Sequence, residues 1–178
     1  MAEPIGIDSN ALTYLIDSTE PGYDPANDEP RLAVERVAML RIFFYADLDF
    51  WVSPTVKVEY NKILDEYRNI RHGRFTDFLL LDQPIEVDED RLKARVCKLL
   101  ANHSGETDCR VLAEVEALGL DTLLSFDSRF ARRVQPLTRV KLTRPSDFWS
   151  SLGIASGASP VRRPVRANPL SQVTWWHM

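Results

Sequence analysis

Cysteine is nearly absent from this chain. Its 178 residues hold only Cys97 and Cys109, a pair that fits neither a zinc-ribbon nor a redox spacing. Each falls in a helix-like stretch where a small buried thiol is the ordinary occupant, so a disulfide scaffold is excluded as the basis of the fold. Long hydrophobic runs are missing too. Leu79-Leu80-Leu81 and Leu123-Leu124 are far too short to cross a bilayer, and no basic n-region leads into an apolar h-region at the start. The expectation is a soluble, cytoplasmic protein with no membrane partner. An excess of positive charge is also lacking: the formal net charge is -4, which argues against a surface coated for nucleic acid while leaving room for local basic tracks. Arg68, Arg71 and Arg74 form one such track, and Arg129, Arg132 and Arg133 another. No Gly-Lys-Ser or Gly-Lys-Thr occurs, so a P-loop is excluded, as is a Gly-x-Ser-x-Gly nucleophile elbow.

At 44% hydrophobic residues, the chain can bury one core with a short appendage. It opens with an apolar strand, Ile5-Gly6-Ile7, closed by Asp8; Ser9-Asn10 then starts a helix with Leu12, Leu15 and Ile16 at helical spacing. Residues 17 to 30, with Pro21, Pro25, Pro30 and five acids, read as an exposed loop. A helix from about Leu32 to Tyr45 precedes a strand at Phe50-Trp51-Val52. Ser53-Pro54 caps the next helix, expected to reach about Tyr67, and a basic connection with His72 and Gly73 leads to Phe78 to Leu81, whose state stays open. Asp88 begins a helix with Leu92, Val96 and Leu99 on one face; Gly105 separates it from another, Glu106 to Leu118, ended by Gly119. Thr122 to Phe126 is a strand closed by Asp127, followed by a short basic helix, a last strand at Val140 to Leu142, and a helix from Pro145-Ser146 through Leu152. Strands alternating with helices imply parallel pairing and an α/β architecture. Two parts are expected: a domain over 1–153 and a basic tail over 154–178, where Ser, Pro and Arg are frequent and no acid occurs from Ala155 onward.

Four carboxylates stand out because of where these elements put them. In an open parallel sheet, ligands bind beyond the carboxyl ends of the strands, and the crossover helices start at that same edge. Asp8 and Asp127 close strands, while Glu59 and Asp108 lie in the early turns of helices, so all four belong to one rim. Helical phase adds to this. Glu59 shares its face with Val56 and Ile63, and Asp108 shares its face with Val111, Leu112 and Val115, placing charge where burial without a partner is costly. Two carboxylates about 4 Å apart repel by on the order of 4 kcal/mol at an effective dielectric near 20, so a cation is needed among them. His72, His103 and His177 are expected to lie away from the acidic rim. An all-oxygen site suits Mg²⁺ or Mn²⁺, and such ions suit phosphodiester hydrolysis.

These residues resemble the PIN-domain family, including the VapC-like toxins, over most of residues 4 to 152. Ile7-Asp8-Ser9-Asn10 is similar to the family's opening strand and first acid, Val58-Glu59-Tyr60 to its second, and Gly105-Glu106-Thr107-Asp108 to its third. Glu106 is an extra acid near that third position, and helical phase favours Asp108. Ser125-Phe126-Asp127-Ser128-Arg129-Phe130 resembles the strand end with its final acid, and Val140 to Phe148 the closing strand and helix. The resemblance implies an α/β/α sandwich with a central parallel twisted sheet. It further implies a single-stranded endoribonuclease using Mg²⁺ or Mn²⁺ and leaving 5′-phosphate and 3′-hydroxyl ends. Asp8, Glu59 and Asp108 are the implied metal ligands, Asp127 completes the site directly or through water, and Asn10 and Ser125 orient waters or carboxylates around it. Arg71, Arg74 and Arg129 are the expected RNA contacts. A toxin reading implies an antitoxin that covers the site, a homodimer is a further candidate partner, and the long 17–30 loop and the tail leave toxin and free-standing enzyme both open.

Two rivals come from other classes. An aspartyl-phosphate receiver or phosphatase also places an acid after its first strand, but the phosphatase pattern needs a second Asp where Asn10 stands. A receiver needs a Lys before the late Pro, where this chain has Arg144. A non-catalytic RNA- or protein-binding module would keep the fold, yet members of that sort commonly lose an acid and all four are present here.

Overall fold

The structure, a computed structural model, describes residues 3–80 and 88–178. Its centre is a four-stranded sheet with the order β2-β1-β3-β4, made of β1 (Glu3–Ile7), β2 (Leu48–Val52), β3 (Thr122–Leu124) and β4 (Lys141–Thr143). Every pairing is parallel, with Ile7 opposite both Val52 and Leu124. Ile5, Ile7, Phe50, Trp51, Leu123 and Leu124 are each at most 2% exposed, as a parallel sheet covered on both faces requires. The mixed α/β expectation therefore holds.

Eight α-helices occur among the described residues. Helices α1 (Ser9–Asp17) and α2 (Pro30–Tyr45) connect β1 to β2. Helices α3 (Pro54–Tyr60), α4 (Glu66–Leu79), α5 (Glu89–Leu100) and α6 (Glu106–Ala117) lead to β3. Helix α7 (Ser128–Val134) joins β3 to β4, and α8 (Pro145–Ser151) follows β4. Since β2 lies on one side of β1 and β3 and β4 on the other, the right-handed crossover rule sends α1 and α2 to one face and α6 and α7 to the opposite one. Helix α2 packs on α1 and α8, and α5 on α6, an arrangement consistent with an α/β/α sandwich. No helix among the described residues is long and apolar enough to cross a membrane.

Helix starts follow side-chain capping. The hydroxyl of Ser53 accepts from Val56 N at 3.2 Å, and Pro54 occupies the first turn of α3, where its missing N–H is no loss. That helix stops at Tyr60, short of the expected Tyr67, because Lys62 N and Ile63 N close a tight turn onto the Glu59 and Tyr60 carbonyls at 3.0 Å each. Asp65 then caps a new helix through Arg68 N at 2.7 Å. His72 and Gly73, expected in a connection, lie inside α4, which turns His72 and Thr76 fully inward. The helix carries Phe78 and Leu79 in its last turn; Leu81 lies outside the described residues. Gly119 ends α6 at a φ of +69°, a conformation glycine adopts without strain. Gly6 is needed for another reason: a Cβ there would meet Val115 Cγ2 at 2.8 Å, so α6 lies directly on β1.

Two further features concern α5 and the carboxyl-terminal segment. Cys97 is exposed on α5, against expectation, because it falls outside the face formed by Leu92, Val96 and Leu99; Cys109 is buried as expected. The tail is draped over α2. Trp176 is 2% exposed, lies 4.5 Å from the Phe44 ring centroid, and donates from Nε1 to Leu170 O at 2.9 Å. The Arg162 guanidinium donates to the carbonyls of Phe43 and Ala46 at the carboxyl end of α2, at 3.2 and 2.8 Å, and to that of Leu48 at the start of β2, at 2.6 Å, pairing acceptors that the helix end leaves free.

Candidate functional site

The strand order reverses between β1 and β3, so the crevice outside their carboxyl ends is where an open α/β sheet binds its ligands. Asp8 ends β1 at that crevice. Its backbone N donates to Leu124 O at 3.1 Å, and its carboxylate caps α1 by accepting from Ala11 N at 2.6 Å. The side chain is only 8% exposed. Burial pushes its carboxyl from 3.8 up to about 6, Ser125 and the N–H groups of Ala11 and Asn10 oppose the rise, and the charge of Asp108 adds to it. Asp8 and Asp108 thus sense one another across the rim, although they lie far apart in the chain.

Asp108 lies in the first turn of α6, and the later part of that helix is fastened to the start of α3. Glu114 of α6, 2% exposed, accepts from Thr55 Oγ1 at 2.6 Å and Thr55 N at 3.2 Å. The neighbouring Glu106 is exposed. His103, expected away from the rim, is instead part of it: its Nε2 lies 3.0 Å from Asp108 Oδ2. The reason is the turn after α5, where Asn102 N and His103 N fold back onto Leu99 O at 2.9 and 3.1 Å and carry the imidazole under α6.

The remaining two acids stand on the same edge with partners of their own. Glu59 accepts a hydrogen bond from the Ser9 hydroxyl, one residue beyond Asp8, and lines a small recess with Ser9, Asn10 and Tyr60. Asp127 caps α7, its Oδ1 accepting from Arg129 N at 2.7 Å and Phe130 N at 2.9 Å. Ser125 links the two strand ends. It is 2% exposed, its hydroxyl eases the rise in the Asp8 carboxyl, and it accepts from Asp127 N at 3.1 Å. The Asn10 side chain is exposed and lines both the Glu59 recess and the larger cleft beside it.

That larger cleft, of about 730 Å³, is the main basic feature of the rim. Arg31, Arg129, Arg132 and Arg144 line it together with Asp127 and the Tyr14–Phe126 ring pair, whose centroids are 4.8 Å apart. Arg144 is engaged with Glu35 at 3.5 Å and Asp147 at 3.1 Å. Arg31, Arg129 and Arg132 are exposed and have no ion-pair partner among the described residues. The expected Arg71–Arg74 patch is different. Arg71 is bonded to Asp17 at 2.9 Å and to Glu20, and Arg68 also holds Asp17, at 2.6 Å. Their charge is balanced within the fold, whereas Arg74 of α4 is exposed.

A hard divalent ion takes oxygen ligands, and Mg²⁺ in particular is held by one or two carboxylates with water and phosphate completing its shell. Asp8 and Asp108 fit that donor set, since burial makes the Asp8 anion unfavourable and a cation would restore it. Among the described residues, no group of three or more His, Cys, Asp or Glu is placed to hold a metal ion. No protein-family model matches the chain, and no curated protein does.

Proposed function

We infer that this protein is a divalent-metal-dependent endoribonuclease of the PIN-domain kind, with Asp8 and Asp108 holding Mg²⁺ or Mn²⁺. The observation that carries the reading is a buried carboxylate, Asp8, facing a second acid at the sheet's switch point and opening beside an arginine-lined cleft. A bound ion supplies activation of water and neutralisation of the charge that develops on phosphate. The chain does the rest. Arg129 and Arg132 bind the phosphates of a strand laid in the cleft, and the exposed part of the Phe126–Tyr14 pair receives a base. Ser125 orients Asp8 through its hydroxyl, Asn10 holds water at the mouth, and Glu59 and Asp127 add negative charge that completes the site through water.

The same reading makes the protein a cytoplasmic enzyme, either the toxin of a toxin–antitoxin pair or a free-standing processing enzyme. An antitoxin would compete with RNA for the arginine cleft. The test is incubation of purified protein with a mixed single-stranded RNA pool, with Mn²⁺ or EDTA, followed by end mapping. Cleavage only with Mn²⁺, giving 5′-phosphate and 3′-hydroxyl ends and lost in Asp8→Asn, is expected. The engagement of Glu59 and Asp127 within the chain favours one alternative, a non-catalytic RNA-binding module. RNA binding indifferent to EDTA, with no product under Mn²⁺, would replace the enzyme with that module.

A further inference from the structure

His103 stands beside Asp108 on the rim, and its surroundings assign it a role. Its side chain is 8% exposed and packs 4.9 Å, centroid to centroid, from the Phe130 ring. Its Nδ1 is buried with no hydrogen-bond partner among the described residues, while Nε2 faces Asp108 Oδ2 at 3.0 Å. A carboxylate oxygen accepts, so Nε2–H is the donor in this contact. The backbone adapts to this contact. A Cβ at Gly105 would fall 2.5 Å from both Asp108 Oδ2 and His103 Nε2, so a side chain there would separate the two groups.

Asp108 needs such support. Its side chain is 42% exposed in the first turn of α6, where a lone aspartate samples several rotamers. We propose that His103 is a positioning residue that holds Asp108 in one rotamer through the Nε2–H bond, leaving its second oxygen for the ion shared with Asp8. The proposal rests on the reading of Asp8 and Asp108 as a metal pair. Partners of this kind that hold a ligating carboxylate are typically worth 10- to 100-fold in metal affinity.

The test is calorimetric titration of the full chain with Mn²⁺ alone, alongside the metal-free melting temperature of each variant. His103→Phe keeps a ring against Phe130 and removes the donor, so its Mn²⁺ affinity should fall by about 10- to 100-fold. His103→Gln restores an N–H donor and should recover most of that loss. Gly105→Ala should reproduce the loss by prising the pair apart, and it carries the test if His103→Phe fails to fold. Undiminished Mn²⁺ binding by His103→Phe, or by Gly105→Ala in its place, would overturn the proposal, as would a glutamine no better than phenylalanine. Wild-type protein that binds no Mn²⁺ would instead sink the metal-pair reading itself, a result distinct from the other two.

Discussion

Replacing Asp8 by Asn should stabilise the metal-free protein at neutral pH, because the ionised carboxylate is disfavoured where it stands. Its folded-state value of about 6 against 3.8 for the free group corresponds to about 3 kcal/mol at 1.36 kcal/mol per pH unit. Below 3.8 the carboxyl is protonated in both folded and unfolded chains and imposes no penalty. As pH rises from 3.8 to 6 the unfolded chain releases its proton first, so folding loses stability across that window, and the full penalty is present above it. Asparagine caps helices as well as aspartate does, so the bond to Ala11 N survives the change. For a chain of this length about 3 kcal/mol is worth roughly 6–12 °C in Tm. Thermal unfolding followed by circular dichroism, with EDTA present, should show Asp8→Asn melting higher than wild type by about that amount at pH 7 and converging with it near pH 4. A variant that melts lower at pH 7, or a difference unchanged between pH 4 and 7, would refute the reasoning.

Other expectations follow from neighbouring features. Arg129→Ala combined with Arg132→Ala should weaken single-stranded RNA binding and reduce the salt slope by about 1.4, at roughly 0.7 for each phosphate left without its arginine; fluorescence anisotropy at several salt concentrations reads this directly. Arg71→Ala should leave that slope unchanged, since its charge is matched by Asp17 and Glu20. Trp176→Ala should cost about 3–5 kcal/mol of stability, measured by urea unfolding, as a fully packed ring is removed from the α2 surface. Gly6→Ala should cost about 1–3 kcal/mol by overpacking against Val115.

The parts of the rim that were legible in the sequence are those encoded locally. Asp8 and Asp127 each follow a strand and cap a helix within a few residues, a pattern that needs no knowledge of the rest of the fold. Ser125 was named only through the family resemblance. The break between α3 and α4 was missed because Lys and Glu in α3 and Glu and Arg in α4 favour helix on both sides of it, and the one local signal was Asp65 as a cap. His103 escaped because a loop residue has no periodic face; only the turn onto Leu99 O brings it to Asp108. The basic cleft is a long-range product, gathering the start of α2, the first turns of α7 and the cap of α8, so Arg31 and Arg144 carried no signal of their own. Arg71 misled in the opposite sense, since its partner Asp17 lies 54 residues away.

The proposed divalent cation would lie between the carboxylates of Asp8 and Asp108. Crystals soaked in Mn²⁺ and measured for anomalous scattering test it most directly. The expected result is a peak bonded to oxygens of both carboxylates and absent from Asp8→Asn crystals. A map with no peak there, or with Mn²⁺ bound only at other surfaces, would contradict it.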